Sequence, residues 1–339
     1  MSMVFCFGEL LLRMSPQLGG QWIENSSMPV YVGGAELNAA TALANWGIET
    51  GYCTALPDSY LAEEIITYIL SKKIDPSPII RSGNRIGSYY LPQGADLKNA
   101  GVIYDRADSS FACLKTGTIN WDKMLSGYTW FHFSAISPAL TGDTANLCLE
   151  AVEAASRLGL TISIDLNYRA KLWQYGSMPV DIMPALVKHC QVIMGNLWAV
   201  ESLLGLPSPI AESKGRSAGE LVDAARESMQ LVREKYPSVT AVAYTFRLSE
   251  EYFAVLDSAG EIAVSEHFTI RDVIDRVGSG DCFMGGLIYG LYAKHGVKEI
   301  IDFAAAAAVG KLHEKGDASR QSVSDVKNIL TTLSIKQHG

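Results

Sequence analysis

The sequence has no long apolar run and no closely spaced pair of cysteines, and we do not expect its amino-terminal residues to be a signal peptide. None of its apolar runs approaches the roughly 18 residues that suggest a membrane-spanning helix. The amino terminus lacks a basic region and soon turns polar, unlike a secretory signal. The six cysteines are scattered singly without a Cys-x-x-Cys motif, which argues against a disulfide framework or a zinc site. These absences predict a cytoplasmic protein with reduced thiols and no membrane partner.

Positive charge is also scarce. The chain has 28 lysines and arginines against 36 aspartates and glutamates, which gives a net charge of −8. No lysine and arginine cluster stands out, so we do not expect a nucleic-acid partner. An acidic enzyme with an anionic substrate must therefore concentrate its positive charge at a few placed arginines.

The chain does contain a regular alternation of buried strands and helices. Of its 339 residues, 48% are apolar, as in an ordinary globular protein. The alternation predicts a mainly parallel sheet with helices on both faces. A hairpin is predicted at one edge, from residues 251–257 and 261–267. The other predicted strands include 4–7, 48–54, 128–135, 160–166, 192–194 and 239–247.

Residues 10–32 and 84–107 differ in character from the rest. The first segment is irregular, whereas 85–91 and 101–106 predict two strands around a polar turn. We expect the two segments to form a small β-sheet outside the main fold, which acts as a lid. No repeat or long linker divides the chain, so one domain spanning residues 1–339 is the simplest organisation.

Residues 274–291 predict a tight glycine turn that opens a buried helix. Gly278 and Gly280 allow backbone conformations closed to other residues, and the first N–H groups of the helix then form an anion site. Asp281 lies at the mouth of this anion site, where its negative charge costs stability. A carboxylate at such a position suggests a functional role such as proton abstraction. A simpler interpretation makes Asp281 a helix cap. Phe283 replaces the third glycine of a dinucleotide fingerprint, and no Walker A motif occurs.

Polar residues also cluster where the predicted strands end, which is where parallel sheets bind ligands. In the lid, Tyr104 and Arg106 are alternate residues of one strand and face the same side. Together with Tyr89 and Arg169 they suit a carboxylate ligand, although tyrosine and arginine are also common on solvated edge strands. The strand-end residues are Asn38, Asp165, Asn167, Arg169, Asn196, Thr245 and Arg247.

Two motifs resemble the signatures of the PfkB (ribokinase-like) carbohydrate kinases. Residues 275–281, Asp-Arg-Val-Gly-Ser-Gly-Asp, resemble the C-terminal signature, and residues 33–40, Gly-Gly-Ala-Glu-Leu-Asn-Ala-Ala, resemble the N-terminal glycine signature. They occur in the family's order, and the resemblance covers essentially the whole chain. It implies a ribokinase-like three-layer α/β/α sandwich with a mainly parallel central sheet and a small β-sheet lid.

Within the family, the chain is most similar to kinases of 2-dehydro-3-deoxygluconate (KDG), a sugar acid. That similarity implies an ATP-dependent enzyme that phosphorylates the primary hydroxyl of a sugar acid, with KDG converted to its 6-phosphate. The supporting segments are Gly8-Glu9, Gly33–Glu36, Val102–Arg106, Asp165–Arg169, Leu172-Trp173, Asp275–Val277 and Gly316-Asp317.

The resemblance also implies a role for each site residue. Asp281 would be the general base, and the N–H groups of Gly278, Ser279 and Gly280 would form the anion hole for the transferring phosphoryl group. Magnesium would bridge the ATP phosphates, K⁺ could lie near Asp275, and relatives suggest a homodimer through the lid. The residues implied to bind the sugar acid are Gly34, Asn38, Tyr89, Tyr104, Arg106 and Arg169. Those implied to border ATP are Asn196, Thr245, Arg247, Gly278, Gly280 and His313.

Two positions depart from the family pattern. The family usually has Asn-x-x-Glu near the ATP phosphates, where the glutamate helps to organise the magnesium shell, but Ala199 stands at that position. Glu201 is two residues further on, roughly 200° around a helix, and cannot simply substitute. Ser279 replaces the usual alanine and should be tolerated.

Two other functions remain open. The first is a PfkB kinase for a neutral hexose such as fructose, which the arginines disfavour because a neutral sugar would leave them unpaired. The second is a sugar-acid-binding homologue with impaired phosphoryl transfer, which Ala199 motivates and Asp281 disfavours.

Overall fold

The computed structural model describes residues 3–18, 20–24, 27–93 and 101–337, and it contains one large and two small β-sheets. In chain order the strands are β1 (Val4–Phe7), β2 (Leu11–Met14), β3 (Val30–Gly33), β4 (Thr50–Cys53), β5 (Ala55–Leu56), β6 (Ile74–Asp75), β7 (Ile80–Arg81), β8 (Gly87–Tyr90), β9 (Ile103–Asp105), β10 (Trp130–Ser134), β11 (Thr161–Asp165), β12 (Val192–Gly195), β13 (Ala241–Arg247), β14 (Glu251–Ser258), β15 (Glu261–Val264) and β16 (Phe268–Thr269). The helices are α1 (Ala35–Asn45), α2 (Tyr60–Ser71), α3 (Trp121–Met124), α4 (Gly142–Arg157), α5 (Pro179–Val187), α6 (Leu197–Leu204), α7 (Ala218–Lys235), α8 (Ser279–Tyr292), α9 (Val297–Lys311) and α10 (Val323–Gln337).

The large sheet has the strand order β15-β14-β13-β12-β11-β10-β1-β4-β6, with β16 paired to β14. The strands from β13 to β6 pair in parallel. Strands β14, β15 and β16 add antiparallel pairs at one end. The predicted mainly parallel sheet with an edge hairpin is therefore confirmed.

Helices cover both faces of this sheet, because alternate strand residues point to opposite sides. In β1, Phe5 and Phe7 belong to a buried core shared with helices α3 to α7. Val4 and Cys6 belong to a second core, shared with α1, α2, α8, α9 and α10. The predicted three-layer α/β/α arrangement follows from these two cores.

Close packing fixes helix α8 against α1 and α9. A Cβ atom added at Gly286 would lie 2.7 Å from the Ala304 Cα atom, and one at Gly285 would lie 3.0 Å from the Ala42 Cβ atom. Small side chains on these helices therefore let their backbones approach closely. Helix α8 begins at Ser279, directly after the glycine at 278.

The small sheet has the order β3-β2-β8-β9 and confirms the predicted separate β-sheet. The segment 10–32, expected to be irregular, contributes two short strands that pair antiparallel, and β2 then pairs in parallel with β8. Each strand has four residues, too few to reveal an alternating pattern in the sequence. Within the predicted lid, residues 19, 25–26 and 94–100 lie outside the described residues.

No helix in the described part of the chain is long and apolar enough to cross a membrane.

Candidate active site

A cavity of about 560 Å³ lies where the carboxyl ends of β11, β12 and β13 meet the small sheet and the start of α8. Its volume falls within the range of about 300–1,000 Å³ that is usual for small-molecule sites. The structure brings most of the predicted site residues to its wall. They are Gly34, Asn38, Tyr89, Tyr104, Arg106, Arg169, Asn196, Thr245, Arg247, Gly278, Ser279, Gly280 and Asp281.

Two of the helices that begin at this cavity have a glycine as the N-cap. Gly34 (φ 136°) precedes α1 and Gly278 (φ 81°) precedes α8, and neither helix has a side-chain cap hydrogen bond. A Cβ atom at Gly278 would overlap the carbonyl oxygen of Asp317, so only glycine fits there. The first N–H groups of α8 thus remain available to an anion, supported by the positive end of the helix dipole.

Asp281 occupies the first turn of α8 and faces the cavity. Burial raises the pKa of its carboxyl group to about 6, and this effect is partly offset by a hydrogen bond from Asn38 and by the charge of Arg169. A carboxyl group with that pKa is ionised at neutral pH but is a stronger base than an ordinary aspartate. The arrangement suits proton abstraction from a hydroxyl group.

Asn38 orients this carboxylate. Its side-chain Nδ2 donates a hydrogen bond of 2.7 Å to Asp281 Oδ2, which stabilises the ionised form. Its Oδ1 is buried and has no hydrogen-bond partner among the described residues, so it can accept a hydrogen bond from a ligand hydroxyl. The prediction of sugar contact did not anticipate the bond to Asp281, which joins two residues 243 positions apart.

Ser279 and Arg247 form a second pair at the start of α8. Arg247 Nη2 donates to the buried hydroxyl of Ser279 over 2.8 Å, while Arg247 Nε is buried without a partner in the described structure. The serine was expected only to be tolerated, but its hydroxyl holds an arginine beside the anion hole. This side of the cavity therefore presents an oriented positive charge.

The two arginines predicted to bind a carboxylate have different surroundings. Arg106 is 7% exposed, and its Nε donates to Glu9 Oε2 over 2.7 Å in a buried salt bridge. Arg169 is half-buried, donates to the carbonyl of Tyr168 and forms no salt bridge with any described residue. Both line the cavity, but of these two arginines only Arg106 forms a salt bridge among the described residues.

The tyrosines of the small sheet line the same wall. Tyr89 donates a hydrogen bond of 3.2 Å to Asp317 Oδ2, and its ring lies 6.2 Å from that of Tyr104. The Arg106 guanidinium carbon lies 5.9 Å from the centre of the Tyr104 ring. This arrangement gives the wall both apolar ring surface and hydroxyl groups.

A family model described as "pfkB family carbohydrate kinase" matches residues 1–322. The chain belongs to this family. The PfkB kinase is 27% identical to the 2-dehydro-3-deoxygalactonokinase of Haloferax volcanii, over 96% of this chain and 95% of that one. The structure of 2-dehydro-3-deoxygluconokinase from Thermotoga maritima superposes with a TM-score of 0.87 at 31% identity, covering 98% of this chain and 100% of that one.

A solved structure of lower sequence identity shares the fold. The structure of a fructokinase from Xylella fastidiosa with bound ATP has a TM-score of 0.74 at 18% identity, and the match covers 98% of this chain and 99% of that one. This PfkB kinase is therefore a carbohydrate kinase with a ribokinase-like fold, and its relatives named above include kinases of 2-dehydro-3-deoxy sugar acids.

Two predicted residues of the kinase lie outside the cavity wall. His313 is exposed and its ring nitrogens lie 3.2 Å from the Val309 carbonyl and 3.0 Å from the Arg271 carbonyl. Asp275 binds the guanidinium of Arg13 through both carboxylate oxygens. The Asp275 carboxylate is therefore a poor ligand for the expected K⁺, because the Arg13 guanidinium already occupies the place of a cation.

The acidic groups at the cavity fit a magnesium ion that arrives with a nucleotide. No group of three or more histidine, cysteine or acidic side chains in the described residues could hold a metal alone. Magnesium usually needs only one or two carboxylates, with phosphate and water completing its shell. Asp165 and Asp281 both line the cavity and could fill that role.

At the family's usual glutamate position, Ala199 lines the cavity as expected from the sequence. Asn196 caps helix α6, with its Oδ1 accepting a hydrogen bond from Ala199 N over 2.9 Å. Glu201 is not among the described residues that line the cavity, and its Oε1 lies 3.4 Å from Ser208 N. Neither residue supplies the missing carboxylate.

Proposed function

We propose that this PfkB kinase transfers the γ-phosphoryl group of ATP to the primary hydroxyl of a 2-dehydro-3-deoxy sugar acid, with KDG as the first candidate. One observation carries the proposal. The Asp281 carboxylate at the start of α8 lines the same cavity as the Arg169 guanidinium, which forms no salt bridge among the described residues. A sugar acid has a hydroxyl group for the first and a carboxylate for the second.

In the proposed reaction, Asp281 accepts the proton of the primary hydroxyl as its oxygen attacks the γ-phosphorus. The pKa of about 6 leaves the carboxylate ionised at neutral pH, and Asn38 holds it in place. The N–H groups of Gly278, Ser279 and Gly280 bind the oxygens of the transferring phosphoryl group. Positioning and charge stabilisation supply most of the catalysis in such transfers.

The acid end of the sugar would bind beside the small sheet. Arg169 provides the charged hydrogen bonds, each of which contributes about 1.5–3 kcal/mol. Tyr89, Tyr104 and Arg106 complete this wall, and Arg106 contributes less net charge because Glu9 already pairs with it. Gly34 and Asn38 would contact the remaining sugar hydroxyls.

ATP would lie on the opposite side, along Asn196, Thr245 and Arg247. Arg247 is held beside the anion hole by Ser279, so it can contact a phosphate group. The predicted contact of His313 with ATP has less support, because its side chain faces backbone carbonyls outside the cavity.

Magnesium, when bound, would neutralise the phosphate charge. We propose that Asp165 would help to hold it on the nucleotide side, since Asp165 lines the cavity and pairs in register with Met194 of β12, two residues before Asn196. Ala199→Glu should then lower the magnesium concentration for half-maximal activity several-fold, by restoring a carboxylate. An unchanged or higher requirement in that variant would count against a metal role at this position.

A neutral hexose is the second candidate substrate. The Glu9–Arg106 salt bridge favours it, because it removes one of the two charges expected to select an acid. A binding protein with impaired transfer is the third, motivated by Ala199. Both candidates can be separated from the first by one assay.

That assay measures ADP release in the presence of ATP and magnesium for KDG, its galactonate epimer, gluconate and fructose. We expect the highest kcat/KM for a 2-dehydro-3-deoxy acid. Preference for fructose would replace the first candidate with the second. Binding of KDG in calorimetry without ADP release would instead support the third.

We also propose that the kinase is a cytoplasmic homodimer joined through the small sheet. Val30 on edge strand β3 and Ile103 on edge strand β9 are each about half exposed, and unpaired edges invite pairing between chains. Light scattering after size exclusion tests this, with Ile103→Asp expected to shift the mass toward that of one chain.

A further inference from the structure

A buried group of four charged residues lies directly behind the anion hole. Arg13 of β2 donates from Nη2 to Asp275 Oδ2 over 2.6 Å and from Nε to Asp317 Oδ1 over 2.8 Å. Arg13 is 1% exposed, and Lys311, at the end of α9, is 0% exposed. The four residues, which include Asp275 and Asp317, come from three parts of the chain but meet at one place.

This group contacts the turn that forms the anion hole. Asp275 Oδ1 accepts a hydrogen bond from Val277 N over 3.1 Å, one residue before Gly278. The Asp317 carbonyl oxygen lies where a Cβ atom of Gly278 would be, and the Lys311 Cε atom would lie 3.3 Å from that Cβ atom. The conformation of the turn therefore depends on both acids and on Arg13, which holds them.

With Lys311 and Asp317 in their ionised forms, the two positive charges of Arg13 and Lys311 balance the two negative charges of Asp275 and Asp317. Burial lowers the pKa of Lys311 and raises that of Asp317, while Arg13 opposes the change at Asp317. Glu314 lies nearby, but it faces outward toward Arg320 at 3.8 Å. One more cation would leave a buried excess of positive charge, which is unfavourable.

We propose that Arg13 is a built-in cation that positions the anion-hole turn, so that this kinase works without a monovalent metal ion. A guanidinium suits this role because its planar fork bonds two carboxylates at once and stays charged at all relevant pH values. Arg13 touches no reacting atom and acts through Asp275 and Asp317. It also ties strand β2 of the small sheet to the start of α8.

The proposal rests on the kinase function for its activity readout, but thermal unfolding tests it separately. The wild-type kinase is compared in K⁺ and in tetramethylammonium at equal ionic strength. We expect kcat to differ by less than twofold and Tm to be the same. Activation by K⁺ above twofold, or a Tm that rises only with K⁺, would overturn the proposal.

Arg13→Ala leaves two carboxylates facing an empty space of cation size. We expect kcat to fall at least tenfold with a smaller change in KM for the sugar, and K⁺ or guanidinium to restore part of kcat. Tm of this variant should rise with K⁺ but not with tetramethylammonium. Arg85→Ala is the matched control, since Arg85 is another arginine of the small-sheet segment, pairs with exposed Asp105 and does not line the cavity.

The outcomes separate positioning from mere structural support. A variant with lower Tm but wild-type kcat would show that Arg13 only stabilises the fold. A lowered kcat that neither K⁺ nor guanidinium restores would overturn the role of Arg13 as a built-in cation. If Arg13→Ala does not fold, the wild-type comparison still decides. If no sugar is phosphorylated at all, the proposed function fails, and the Tm measurements alone test the role of Arg13.

Discussion

The two walls of the cavity are built by different means. The wall from the main layers places Asp281 and the anion hole at the start of α8, whose position is fixed by close packing against α1 and α9. The wall from the small sheet places Tyr89, Tyr104 and Arg106 on or beside strands of three or four residues. Its polar side chains are held by ion pairs and hydrogen bonds to distant residues.

This difference determines how a substitution at each wall affects activity and stability. At the main-layer wall, the backbone supplies the anion hole, so a side-chain substitution there can alter the reaction while leaving the fold intact. At the small-sheet wall, a substitution breaks buried pairs such as Glu9–Arg106. Effects on activity and on stability should therefore separate at the first wall and combine at the second.

The largest effect is expected for Asp281→Asn. Losing the general base should lower kcat by at least ~10²-fold, while KDG binding in calorimetry persists. Burial raises the pKa of Asp281 to about 6, so the ionised group destabilises the folded state above that pH. The neutral amide should leave Tm at pH 7 equal or higher. Near-normal turnover would refute the role of Asp281, and a large fall in Tm would contradict the contrast between the walls.

The next effect compares the two arginines. Arg169→Ala should lower kcat/KM for KDG far more than for fructose, by about 10- to 100-fold if a charged hydrogen bond of about 1.5–3 kcal/mol is lost. Arg106→Ala should show the same selectivity to a smaller extent, because Glu9 already pairs with Arg106. Arg106→Ala should also lower Tm, because it leaves the Glu9 carboxylate buried without its partner, at a cost of about 3–5 kcal/mol. Arg169→Ala should not.

The control for both is Arg85→Ala, which removes a salt bridge with exposed Asp105 and should change little. Equal losses on both sugars for Arg169→Ala would contradict the carboxylate assignment. Equal Tm for Arg106→Ala and Arg169→Ala would contradict the structural role of the Glu9 pair.

The smallest effect concerns the pH profile. Because Asp281 must be ionised, kcat should fall below an apparent pKa of about 6. Asn38→Ala removes a hydrogen bond that stabilises the carboxylate, so the fall in kcat should begin at a higher pH. Asn45→Ala is the control on the same helix, since its amide donates to the Ser319 carbonyl instead. If the pH below which kcat falls is unchanged in Asn38→Ala, Asn38 does not orient the base.

The sheet, its edge hairpin and most cavity residues could be predicted from the sequence. Short apolar runs that alternate with helices identify buried strands, and the carboxyl ends of parallel strands fix where polar residues gather. Strands β2 and β3 were missed because strands of four residues contain too few positions for a period to be visible.

The partners of the charged residues could not be predicted. Arg13 and Asp275 lie 262 positions apart, and Arg106 and Glu9 lie 97 apart, so no local pattern joins them. Without those partners, Arg106 was interpreted as a free cation and Asp275 as a possible K⁺ ligand. Ser279 was likewise interpreted by size alone, because its bond to Arg247 exists only after folding.

The glycine at 278 has a consequence for how such enzymes diverge. Its backbone conformation and the carbonyl oxygen of Asp317 leave no room for a side chain, so nearly every mutation there would be lost to selection. Tyr89, Tyr104 and Arg106 of the small-sheet wall are not held in such a backbone conformation, so their side chains can be exchanged. New sugar specificities in this lineage should therefore arise by drift in the small sheet, around a phosphoryl-transfer turn that stays the same.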